Sequence, residues 1–199
     1  MSTPPRSRAR YHHGDLRGAA IDAGLRLLQS RTANDLGLRE LAREIGVSAA
    51  AIYRHFPDKD ALMAALAGEG LQRLAAAQRR ATATAGGGAA GFMASGLSYV
   101  RFAVDNPALF RLIYGTAQGR DLLEDPLDHV SAAMRGLRQD IEALLPEGLS
   151  AADRKAAALR AWALVHGLAL LILDGQIPLD WSLVENALAG CEPLMRPAL

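Results

Sequence analysis

With a single cysteine, Cys191, among 199 residues, no internal disulfide can form, and a buried, unreactive thiol is the expected state. Long apolar runs are also missing. The longest, 161–173, has thirteen residues and includes His166, against the ~20 needed to cross a bilayer, so no membrane segment is expected. Arg6, Arg8 and Arg10 near the start have no apolar stretch behind them, unlike a secretory leader, and the cytoplasm is the expected location. Nowhere does a strand-like alternation persist, and no segment repeats, which leaves an all-α fold.

The residue groupings of common enzymes are absent as well. His12 and His13 are adjacent and so point to different sides of a helix, and His129 and His166 stand alone. There is no His-Glu-x-x-His, Cys-x-x-Cys or Gly-x-Ser-x-Gly pattern. The expectation is a protein without catalytic residues, metal or required cofactor.

Charge is nearly balanced, at +1 overall, but unevenly placed. Residues 1–60 hold ten Lys and Arg against seven Asp and Glu, whereas residues 61–199 hold twelve against fourteen. The basic excess coincides with the most informative segment, 38–59, LRELAREIGVSAAAIYRHFPDK. Leu38, Leu41, Ala42 and Ile45 form one apolar stripe of a two-turn helix. Gly46 suits its left-handed end, and Ser48 is placed to cap a second helix expected from about Ala49 to Phe56, with Ile52 and Phe56 buried. Two short helices joined by a tight turn describe a helix-turn-helix. On the outer face, Ala49 and Ala50 allow close approach to base edges, while Tyr53, Arg54 and Lys59 offer donors to phosphates. The same periodicity also fits a helical hairpin with a solvated basic edge.

Gly46-Val47-Ser48, then Tyr53-Arg54-His55-Phe56, then Pro57-Asp58-Lys59 resembles the DNA-binding domain of the TetR (tetracycline-repressor-type) family of bacterial regulators in residue type and spacing. The likeness extends to Tyr11-His12-His13-Gly14-Asp15-Leu16, which opens a helix with Leu16, Ala20, Ala23 and Leu27 on one face. It implies that Tyr53 and Lys59 contact the DNA backbone and that Ser48, Ala49, Ala50 and Arg54 sit at the groove. Gly37 departs from the family's usual Ser or Thr before the second helix, which weakens a cap. Further along, Tyr99 to Ala103, Asn106 to Gly115 and Ala161 to Ala169 resemble the TetR subgroup whose ligand domain is named for a Trp-His-Gly motif. In that family this domain is a helical bundle that dimerises through its last two helices and encloses an effector pocket.

About nine helices are expected: an N-terminal three-helix helix-turn-helix domain, then a C-terminal helical-bundle ligand-binding and dimerisation domain. The divisions are a basic arm at 1–10, a DNA-binding domain at 11–60, and an effector and dimerisation domain at 61–199. The arm has a composition that stays disordered when free; it either follows DNA or merely solubilises. After Pro57, Leu62, Leu66, Leu71 and Leu74 mark a linking helix to about Arg80, and Gly86-Gly87-Gly88 a flexible loop. Helices follow at 92–104, after Pro107, and at about 126–145, 151–174 and 180–194, with Ser150 and Asp153 in a capping-box pattern.

Phe92, Met93, Phe102, Phe110 and Tyr114 either line an apolar cavity or pack as core. Trp162 and His166, at i and i+4, touch; His166 either anchors an effector or is a satisfied packing histidine. Arg101 and Arg111 either attract an anionic effector or face solvent. The expected function is a dimeric, ligand-responsive transcriptional regulator, a repressor released from a palindromic double-stranded DNA operator by a small-molecule effector. The alternative is an all-helical protein-interaction module without sequence-specific DNA binding.

Overall fold

The structure is a computed structural model that describes residues 15–115 and 131–189. The described residues form nine α-helices and one short 3-10 turn at Ala33–Asp35, with no strand. Helix α1 (Leu16–Leu27) is capped by Asp15, whose carboxylate accepts from the Gly18 amide at 2.7 Å. Helix α2 (Leu38–Ile45) buries Leu38, Leu41 and Ala42, and ends on Gly46 in the left-handed conformation, φ 74°. Gly37 stands at its N-cap and supplies no side-chain bond. Helix α3 (Ala49–Tyr53) starts from Ser48, whose hydroxyl accepts from the Ala51 amide at 3.2 Å.

Helix α3 is shorter than its sequence suggests. It ends at Tyr53, and Arg54 and His55 form a turn that drops Phe56 into the core at 1% exposure. Burial of Phe56 is thus achieved by a bend rather than by a further helical turn, because Pro57 cannot continue the helix beyond it. Asp58 then caps α4 (Lys59–Thr84), accepting from the Ala61 amide at 2.7 Å.

Helix α4 is the spine. Its 26 residues reach past Arg80, and its buried face contacts α1 at one end and α5, α6 and α7 further along. Gly86, Gly87 and Gly88 all take positive φ, which reverses the chain into α5 (Gly88–Asp105), four residues earlier than the aromatic pattern indicates. Helix α6 (Pro107–Gly115) follows directly with Pro107 in its first turn, as a missing amide permits. Beyond it come α7 (Ala132–Leu144), α8 (Ala151–Leu173) and α9 (Trp181–Ala189). Ser150 and Asp153 form the reciprocal capping box at the start of α8. The expected helical stretches at 126–130 and 190–194, and the arm at 1–10, lie outside the described residues.

A continuous core runs from α1 through α4 to α6, with Leu41, Ile52, Phe56, Leu66, Leu74, Phe110 and Ile113 all essentially inaccessible. Helix α8 behaves differently. By length and composition it is apolar enough to cross a membrane, with mean hydropathy 1.8, yet only 17% of that stretch is buried within the chain. The apolar stretch is longer than the thirteen-residue run because residues 156–160 extend it with one charged side chain, Arg160. Leu159 and Leu171 on α8, and Leu179 and Leu183 at and near α9, are each 43–49% exposed.

Candidate functional site

The amphipathic pattern of 38–56 folds so that the apolar residues lock α2 and α3 against α1 and α4, and the remaining residues form one outer surface. Ser48, Ala50, Tyr53 and Arg54 are exposed on it, and Ala49 and Lys59 are half-buried. Tyr53 is 44% exposed, a large value for an aromatic ring. Two of these residues already hold local bonds. The Ser48 hydroxyl is used in capping, and Lys59 Nζ donates to the Asn34 carbonyl at 2.6 Å, tying the start of α4 to the 3-10 turn. Arg17, not singled out by the sequence, lies with its guanidinium 5.6 Å from the Phe56 ring centre at the same end of the molecule. Small residues at a helix N-terminus, flanked by a phenol and cations, suit a nucleic-acid surface: backbone donors set the position and the helix start meets the groove.

The second site is a cavity of about 510 Å³ between α4, α5, α6, α7, α8 and α9. Phe92, Met93, Tyr114 and Trp162 line it, together with residues the sequence did not single out, among them Gln78, Ser95, Tyr99 and Leu137. Phe102, Phe110 and His166 do not line it. Phe102 and Phe110 are core residues at 9% and 0% exposure, and His166 sits behind the wall. Tyr99 gave no separate signal in the sequence, because a tyrosine at a core-facing helical position reads as packing.

Tyr99 organises the aromatic end of the cavity. Its hydroxyl accepts from Trp162 Nε1 at 3.3 Å and lies 2.9 Å from His166 Nδ1. The direction of the Tyr99–His166 hydrogen bond follows the histidine tautomer, since the phenol oxygen can accept from the indole and still either donate to Nδ1 or accept from it. Burial pushes the His166 pKa down and raises that of Tyr99. The phenol of Tyr114, stacked edge-on to His166 at 4.6 Å between ring centres, is pushed up to about 12 by burial. All three groups are therefore driven to their uncharged forms.

Outside the cavity, Arg111 pairs with Asp174 and donates to the Leu173 carbonyl, and the Arg101 guanidinium lies 5.3 Å from the Trp181 ring centre. Among the described residues, no three His, Cys, Asp or Glu side chains gather as metal ligands.

Helix α6 joins the two sites. At its far end Tyr114 faces the cavity, and along its length Leu109 and Ile113 press on α4 at Gly70, where even a Cβ would come within 2.9 Å of both side chains. At its near end, Asn106 Oδ1 accepts from Gln29 Nε2, just beyond α1, at 2.9 Å. The fold and its two sites define a helix-turn-helix protein with an attached helical domain that encloses an apolar cavity.

Residues 20–66 match the model of the bacterial regulatory proteins of the tetR family, and residues 92–189 match that of the tetracyclin repressor-like C-terminal domain. The chain belongs to the tetR family of bacterial regulatory proteins. An uncharacterized HTH-type transcriptional regulator of Haemophilus influenzae is 30% identical over 104 residues, which are 52% of this chain and 51% of that protein. The chain thus spans about half the length of the curated relative it matches. A solved structure from Rhodococcus sp. RHA1, of unknown function, has a TM-score of 0.71 at 30% identity, covering 94% of this chain and 97% of that one. A TetR variant from Acinetobacter baumannii AYE, crystallised with minocycline, shares the fold at a TM-score of 0.60 and 21% identity, covering 91% and 98%.

Proposed function

We propose that this chain is a homodimeric transcriptional repressor of the cytoplasm that binds a palindromic operator and is released from it by a small-molecule effector. The observation that carries the reading is the mechanical continuity of the two sites: α6 presents Tyr114 to the cavity and abuts Gly70 of α4, the helix that begins at the DNA-facing surface. A ligand that displaces Tyr114 therefore acts on the helix that follows α3 in the chain and packs on α1, against which α2 and α3 rest. By linkage, an effector preferring the dimer with displaced recognition helices lowers operator affinity by the ratio of its affinities for the two states.

In this reading Ser48, Ala49, Ala50 and Arg54 meet the groove, and Tyr53 and Lys59 hold phosphates, Lys59 exchanging the Asn34 carbonyl for a phosphate oxygen. Residues 11–60 form the DNA-binding part and 61–199 the effector and dimerisation part, with α4 packing in both. The exposed apolar faces of α8 and α9 form the dimer interface, supported by Leu159, Leu171 and Leu183, which no described element of the single chain covers. Two-fold pairing there sets the recognition helices about 34–36 Å apart, one turn of DNA, or a multiple of it. Trp162, His166 and Gly167 support assignment to the Trp-His-Gly subgroup. The role is binding, and no catalytic step is assigned.

The direct test is fluorescence anisotropy of the protein with DNA from immediately upstream of its own coding region, at about 150 mM salt where surface attraction is largely screened. Affinity at least ~1,000-fold above that for shuffled DNA is expected. Equal affinity for both would overturn operator recognition and favour the interaction-module alternative.

A further inference from the structure

We propose that the cavity takes an uncharged, mainly apolar molecule that carries a hydrogen-bond donor, and that the Gln78 carboxamide is the group that meets this donor. The inference rests on the reading of the cavity as the effector site and adds the class of effector. Its volume, about 510 Å³, suits a drug-sized molecule.

The described walls offer no counter-charge. Among the described residues, no Asp, Glu, Lys, Arg or His lines the cavity. The two arginines that the sequence offered to an anion are spent elsewhere, Arg111 on Asp174 and Arg101 against Trp181. A charged ligand would lose its hydration and gain no counter-charge. The shifts of Tyr99, Tyr114 and His166 toward their neutral forms report the same poorly solvating surroundings.

The need for a donor follows from the hydrogen-bond inventory. Tyr99 is committed to Trp162 and His166, and the Ser131 hydroxyl accepts from the Met134 amide. The Ser95 hydroxyl accepts from Gln78 Nε2 at 3.2 Å. The Tyr114 hydroxyl is engaged with Tyr99 and Trp162. What is left is Gln78 Oε1, buried and accepting from no group among the described residues. A buried carbonyl oxygen without a donor is costly, so a ligand N–H or O–H that reaches it is selected. The final torsion of a glutamine side chain is broad, so the carboxamide can turn its oxygen toward a ligand, giving up the Nε2 bond to Ser95, whose hydroxyl is then free to bond elsewhere.

Three dyes of one skeleton test this: N-phenyl-1-naphthylamine, which is neutral with an N–H; its N-methyl derivative, which lacks the donor; and its 8-sulfonate, which is anionic. All brighten in apolar surroundings. With the full-length protein, the neutral amine is expected to bind at least tenfold tighter than the sulfonate and about tenfold tighter than the N-methyl dye. Gln78→Leu should erase the second difference. Gly96→Leu, which fills the cavity from α5, should abolish binding; quenching of Trp162 in a Trp181→Phe background locates the dye independently should Gly96→Leu fail to fold.

Equal or tighter binding of the sulfonate overturns the inference, as does an N–H preference that survives Gln78→Leu. Failure of all three dyes to bind overturns both this inference and the effector-site reading. The expected ranking without any change in operator affinity supports the inference and sinks only the release mechanism proposed above.

Discussion

Gly70→Ala sets two known effects against each other at the junction between cavity and DNA-binding surface. In the middle of a helix, alanine is favoured over glycine by about 0.8–1 kcal/mol. Against this, the new methyl would stand 2.9 Å from both Leu109 Cδ1 and Ile113 Cδ1, and 3.1 Å from Leu109 Cγ. Relaxed carbon contacts are about 3.5–4.0 Å, so α6 must recede by roughly 0.6–1 Å or both side chains must change rotamer. Leu109 is 3% exposed and Ile113 inaccessible, so neither has free space to turn into. Overpacking of this kind costs about 1–3 kcal/mol, and the net expectation is a loss of about 0–2 kcal/mol. Stability alone is therefore a weak readout. The stronger one is that a displaced α6 carries Tyr114 with it, so operator affinity and ligand affinity should change together. Urea denaturation gives the first quantity, and anisotropy with labelled operator, titrated with and without a cavity ligand, gives the other two. A variant stabilised by the full helix-propensity gain, with both affinities unaltered, would refute tight α4–α6 packing as the coupling element.

Lys59→Ala and Tyr53→Phe should weaken binding to all DNA sequences alike, with Lys59→Ala reducing the salt slope by about 1; a changed sequence preference in a binding-site selection would argue against phosphate contacts. Leu159→Glu combined with Leu171→Glu should convert the dimer to monomer in sedimentation at micromolar concentration while leaving the helical spectrum intact, whereas an undisturbed dimer would move the interface elsewhere. His166→Gln should flatten the acid limb of the stability curve. Burial lowers the His166 pKa, so below the ordinary value of 6.5 the unfolded chain takes up the proton first, and stability falls with pH until the folded form is also protonated. A wild-type minus variant difference that is flat from pH 7 to 5 would show that His166 is freely solvated.

The helix-turn-helix was legible because three short-range rules agree on it. Apolar spacing fixes the buried face of α2, Gly46 needs the left-handed angle it takes, and Ser48 and Asp58 cap through hydroxyl and carboxylate groups whose partners lie three residues away. None of these depends on the rest of the chain. Helix ends set by long-range packing were less legible: Pro57 marks that a helix cannot pass Phe56, but that α3 stops as early as Tyr53 follows from Phe56 entering a core built by α1 and α4. Similarly, α4 continues to Thr84 because α5 covers it there, although its apolar spacing fades after Leu74.

The cavity shows where periodicity stops being informative. Phe92, Phe102, Phe110 and Tyr114 have the same character in the sequence, yet two line a space and two fill the core, since the outcome depends on how far apart α5, α7 and α8 stand. His166 is the sharper case. The sequence offered a choice between packing and ligand binding, and the geometry favours neither in its simple form, because the histidine stands behind the wall and meets the cavity through Tyr99, Tyr114 and Trp162. Its Nδ1 is hydrogen-bonded to the Tyr99 hydroxyl, which also accepts from Trp162 Nε1, and its ring packs on Tyr114 and Trp162, which line the cavity. His166 therefore acts as a positioning residue. Losing it should alter the effector's affinity through the orientation of Tyr99 and Trp162, and Tyr99→Phe, which breaks the same chain one step nearer the cavity, should reproduce most of that change without adding to it in the double variant.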